Sequence, residues 1–98
     1  MTRRHIIRIR DKIRVGQYDM TGHAMEEMAE DGLDILDIEE SVKTGEVARE
    51  EKDDPRGTKY VVEGMAADGI TPVGTVGRFM ANGRYLFITV YEVTEPDE

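Results

Sequence analysis

The stretch DILDIEESVKTGEVAREE, residues 34–51, contains the change of period that decides the fold class. Up to Gly45 its apolar residues fall at helical spacing, with Ile35, Ile38 and Val42 on one face of a helix over about 35–44. Asp34 is a suitable N-cap, because its carboxylate can accept from a free backbone N–H of the first turn. Leu33 and Ile38 stand where a hydrophobic staple would place them. Gly45 sits at C′, the usual stop. Beyond it the chain reads as extended, and EVAREE is a short first strand.

Upstream, RRHIIRIRDKIRV at residues 3–15 places Ile6, Ile9 and Ile13 at i, i+3 and i+7. Ile7 and Ile9 also alternate as in a strand. The segment is read as a helix because Gly16 follows at C′. A second helix runs from about Gly22 to Asp31 with Thr21 as N-cap. Met25, Met28, Ala29 and Gly32 are its expected buried face, and Glu26, Glu27 and Glu30 its wet side.

Downstream, KDDPRG reads as a turn. TKYVVEGM is a strand with Tyr60 and Val62 on one face and Val61 on the other. ADG at 67–69 and ANG at 81–83 are hairpin turns flanking an extended ITPVGTVGRF, weakened by Pro72, Gly74 and Gly77. RYLFITVYEV is the best strand. Leu86, Ile88 and Val90 are expected in the core, with Tyr85, Phe87, Thr89 and Tyr91 on a partly open face. Helices followed by hairpin-linked strands predict an α+β fold, with N-terminal helices packed on one face of a C-terminal antiparallel four-stranded sheet.

A length of 98 residues fits one domain. Its expected parts are a basic N-terminal helix at 1–16, two helices within 17–45, the sheet within 46–93 and a tail at 94–98. With no cysteine, disulfides and thiolate metal sites are excluded, and no metal or other cofactor is expected. No run of eighteen apolar residues and no signal-type segment stands in the chain, so a cytoplasmic location away from the membrane is expected. The net charge is −8, yet residues 1–16 set Arg3, Arg4, Arg8, Arg10, Lys12 and Arg14 against Asp11 alone. That acidic body disfavours nucleic acid. The basic segment could meet an anionic partner, the protein's own acidic helices or a second copy in a homodimer.

No local motif is strong. His23 has the most suggestive position, in the first turn of the second helix, where N–H groups and the helix dipole attract anions. Thr21 and Gly22 leave room there for a phosphate, and a neutral imidazole would suit a general base. The alternative is an ordinary polar side chain bonded to backbone. Arg78, near a strand end, and Arg56, in a turn, are the basic candidates outside the first segment. Tyr60, Tyr85 and Tyr91 offer hydroxyls and stacking surfaces, of the kind that bind single-stranded RNA.

These features occur in an order that resembles a family of small bacterial proteins of unknown function related to the RelE/ParE and BrnT toxins. The residues that carry the resemblance are YDMTGHAMEEMAEDGLDILDIEESVKTGEV, then YVVEG, then FITVYEV. The resemblance implies a RelE-like fold and a toxin of a toxin–antitoxin type system. It implies metal-independent cleavage of RNA, often on the ribosome, with an antitoxin protein as partner. Carried onto this chain, it makes His23 the base or acid, Arg78 the cation for the phosphorane-like charge, and Tyr91 a proton donor or ribose-positioning group. Thr21, Gly22, Arg56, Tyr60 and Tyr85 would bind substrate. Acidic residues in MAEDG replace an arginine frequent in the family, which favours a non-catalytic interaction module on the same fold.

Overall fold

A computed structural model describes residues 3–93; the expected tail at 94–98 lies outside them. The elements are α1 (Arg4–Arg14), β1 (Tyr18–Met20), α2 (Gly22–Glu30), α3 (Ile35–Thr44), β2 (Glu46–Glu51), β3 (Lys59–Met65), β4 (Pro72–Phe79) and β5 (Tyr85–Glu92). One sheet runs in the order β1-β5-β4-β3-β2. The helices lie on a single face of it, so the α+β architecture stands. The sheet, however, has five strands and is mixed, because β1 pairs parallel with β5. β1 is three residues long, too short for alternation to register, and its partner lies at the far end of the chain.

α1 forms where the isoleucine spacing places it. Ile6, Ile9 and Ile13 are all buried, and Gly16 takes a φ of 77° as the chain turns away. Its cations are engaged by the protein itself. Arg10 donates to the carbonyls of Val42 at 3.1 Å and Gly45 at 2.7 Å, capping the C-terminus of α3. Arg3 pairs with Glu46, Arg14 with Asp11, and the Arg8 guanidinium lies 4.2 Å from the Phe79 ring centre. α3 carries the expected cap: the Asp34 side chain accepts from Asp37 N, and that of Asp37 accepts from Asp34 N. Ile38 and Val42 are buried, whereas Ile35, expected on the same face, is exposed.

α2 turns a different face inward than the methionine spacing suggests. Ala24 is fully buried and Met28 packs against the core, while Met25 and Ala29 are exposed. The cause is the edge of β5. β1 covers that edge only from Tyr85 to Phe87. Beyond it Thr21 Oγ1 donates to Ile88 O at 3.1 Å, Glu27 Oε1 accepts from Val90 N at 3.0 Å, and Asp31 Oδ2 accepts from Glu92 N at 3.2 Å. Satisfying those backbone groups requires the polar positions 27 and 31 to face the sheet, and they sit one turn apart beside Ala24 and Met28.

β5 also corrects the expected faces. Its ladder with β4 shifts register between Val76 and Gly77, passing over Ile88. A bulge inverts the alternation, so Tyr85, Phe87 and Val90 all point into the core. Leu86 falls on the other face, and Tyr85 is not on the open side.

Candidate interaction face

Among the described residues the sheet face turned away from the helices is uncovered, and the registers say what it carries. Gly77 lies beneath the buried Tyr85 ring on the core face, so its neighbours Val76 and Arg78 point to the open one. Reading across the ladders, one row holds Arg49, Val61, Val76 and Thr89. A second holds Glu46, Glu63, Gly74 and Tyr91. The third holds Glu51 paired with Lys59, and Arg78 paired with Leu86. Val61 is fully buried although it stands outside the core cluster, so its neighbours on this face close over it.

Tyr91 lies flat on Gly74, where any Cβ would overlap its ring. Its hydroxyl donates to Glu63 Oε2 at 3.3 Å. Burial, and secondarily the Glu63 carboxylate, push the Tyr91 hydroxyl above its ordinary range, against a weaker pull from Arg49. It therefore stays protonated at neutral pH and is a poor proton donor. Arg49 pairs with Glu51 at 3.2 Å, and Lys59 reaches Glu51 at 3.8 Å and Asp54 at 3.9 Å. A shallow hollow lined by Glu51, Lys52, Asp53 and Lys59 marks this end of the face. Arg78 is half-buried, with Val76 and Leu86 beside it.

The other candidates lie elsewhere. His23 is on α2, with Nε2 3.2 Å from Glu27 Oε2, the carboxylate whose second oxygen holds Val90 N. Thr21 does cap α2, but its hydroxyl is used: Oγ1 accepts from Ala24 N at 3.1 Å and donates to Ile88 O. Gly22 has open space around it. Arg56, in the turn between β2 and β3, donates twice to Asp54 at 3.1 and 3.2 Å, and holds that carboxyl down at about 2. Tyr60 and Tyr85 are core residues, and neither ring offers a face to a ligand. Tyr60 packs edge-on to Phe79, and Tyr85 stands edge-on to Phe79 and Phe87.

Arg78 and Tyr91 thus share a face and His23 does not. Even on that face Arg78 and Tyr91 are separated. Tyr91 opposes Gly74, four residues from Arg78 along β4, or about 13 Å at strand rise. Sequence reading missed Arg49, Lys59 and Glu63, whose place on the face depends on cross-strand register. Among the described residues no group of three His, Asp or Glu side chains could hold a metal ion, and no helix is long and apolar enough to cross a membrane.

Fold and face together define a small α+β domain with a one-sided sheet. The model of a domain family of unknown function, DUF4258, matches residues 20–92, and the chain belongs to that family. Comparison with curated proteins and with solved structures found no match.

Proposed function

We propose that this protein is a non-catalytic protein-interaction module whose working surface is the open face of the sheet. The observation that supports it is the separation of the groups RNA cleavage would need. His23 is tied to Glu27 on the helical side, whereas Arg78 and Tyr91 stand at opposite ends of the open face. A base and a phosphate-binding cation must both lie within hydrogen-bond reach of one phosphodiester.

A second reading keeps the toxin-like class, a metal-independent endoribonuclease restrained by an antitoxin. It is favoured by the unpaired Arg78 on the same face as a carboxylate, Glu63, and a hydroxyl, Tyr91.

Expression of the chain alone separates the two. The module reading predicts normal growth and intact cellular RNA for wild type and for Arg78→Ala alike. Growth arrest with RNA cleavage by wild type, lost in Arg78→Ala and kept in His23→Ala, would overturn it in favour of the nuclease.

A further inference from the structure

Arg78 differs from the other cations. Among the described residues it is the one lysine or arginine with neither an acceptor nor an aromatic ring, in a chain holding 21 acids and 13 bases. Glu63 is its counterpart. It is exposed, on the same face, and its side chain takes only the 3.3 Å hydrogen bond from Tyr91. The two cannot pair within one molecule. Glu63 opposes Gly74, so Arg78 lies about 13 Å further along the strands. Val61 and Val76, paired with each other, sit midway between them.

We infer that the open face binds a second copy of this chain, with Arg78 of each copy pairing with Glu63 of the other. A twofold axis parallel to the sheet and midway between the two facing copies, crossing the strands at the Val61–Val76 row, exchanges the two positions. Such an interface is self-complementary, and each ion pair forms twice. Val76, Leu86 and the Tyr91 ring supply apolar contact between them. RNA fits this face less well, because Arg49 and Lys59 already pair with Glu51 and Arg78 alone is left for a phosphate, on a chain of net charge −8. The same net charge opposes two copies at long range, but salt at about 0.15 M screens that repulsion beyond about 8 Å.

The inference rests on the open face being the working surface, and its test separates the two claims. Sedimentation velocity at physiological salt is run on wild type, Arg78→Glu, Glu63→Arg and the double reversal. Amide hydrogen exchange is measured on the same samples, with thermal unfolding as a check that each variant folds. Wild type should dimerise. Each single reversal should weaken the dimer by about tenfold or more, and the double reversal should restore it. A monomeric wild type, or a double reversal that restores nothing, overturns the second copy as occupant. A dimer whose protection falls on α1 or α2 instead of β3, β4 and β5 overturns the face as well. Arg78-dependent binding of RNA or of a different protein by a monomer overturns only the second copy.

Discussion

The two glycines of β4 show how much a single residue decides here. Gly77 lies under Tyr85 on the core side and Gly74 under Tyr91 on the open side, and a Cβ at either would overlap the ring. Read from sequence, both glycines weaken the strand; in the fold they make room for aromatic side chains across the ladder. Gly77→Ala is expected to destabilise the protein by about 1–3 kcal/mol in denaturant titration, because the Tyr85 ring has no free space to move into. Gly74→Ala should cost less, since Tyr91 can lift into solvent. Tyr85 itself carries a buried hydroxyl without a hydrogen-bond partner among the described residues. Tyr85→Phe should therefore be neutral or stabilising in the same titration; a substantial loss would mean the hydroxyl has a function. Tyr18 supplies the pH handle. Burial, and then its 2.6 Å bond to Glu39, push its hydroxyl up to about 12. The folded state then binds more protons than the unfolded state above pH 10. Tyr18 contributes stability in full below about 10, and that contribution is lost as pH rises through 12. Tyr18→Phe should flatten this part of the alkaline limb, while the raised Tyr60, Tyr85 and Tyr91 hydroxyls retain the rest.

Among the elements, α2 has the most consequential placement. It lies along the open edge of β5 and satisfies backbone groups that β1 leaves uncovered. An unpaired edge is a template for association with another chain. Thr21→Ala removes both an N-cap bond and the bond to Ile88 O, and should cost about 1–2 kcal/mol in thermal or chemical unfolding. Glu27→Ala leaves Val90 N without its partner and should cost about 1–3 kcal/mol, accompanied by faster exchange at that amide. Protection at Val90 unchanged by Glu27→Ala would contradict this role for α2. These placements also mark where sequence reading stops. α1 and α3 were legible because their apolar periods, Ile6–Ile9–Ile13 and Ile38–Val42, are the faces they bury. α2 was legible as a helix and not in its orientation, since Glu27 and Asp31 turn to the edge of a strand 63 and 61 residues away. The phase of β5 was lost at Ile88, because a bulge is set by the facing strand and leaves alternation intact in the sequence.

At the scale of the fold, the helices cover one face of the sheet, and the described residues leave the other to solvent. Of the candidate site residues singled out from sequence, only Arg78 and Tyr91 reach that face. Their neighbours Arg49, Lys59 and Glu63 came from three-dimensional register, which no local pattern contains. The face combines fixed apolar surface at Val76 and Leu86 with one uncompensated cation. That pairing fits recognition of another folded surface better than turnover of a small substrate. In the basic N-terminal segment, by contrast, Arg3, Arg8, Arg10 and Arg14 all contact the protein itself. Neutralising Arg10 should lower stability rather than binding, because it strips the caps from Val42 and Gly45. The most direct test of the open face as the surface that a second copy occupies is methyl NMR over a concentration series. The account predicts that the Val61, Val76 and Leu86 methyls shift with concentration while those of Ile6, Ile9 and Ile13 stay fixed. Shifts confined to the helical side, at Ile7 and Met25, or none anywhere, would contradict it.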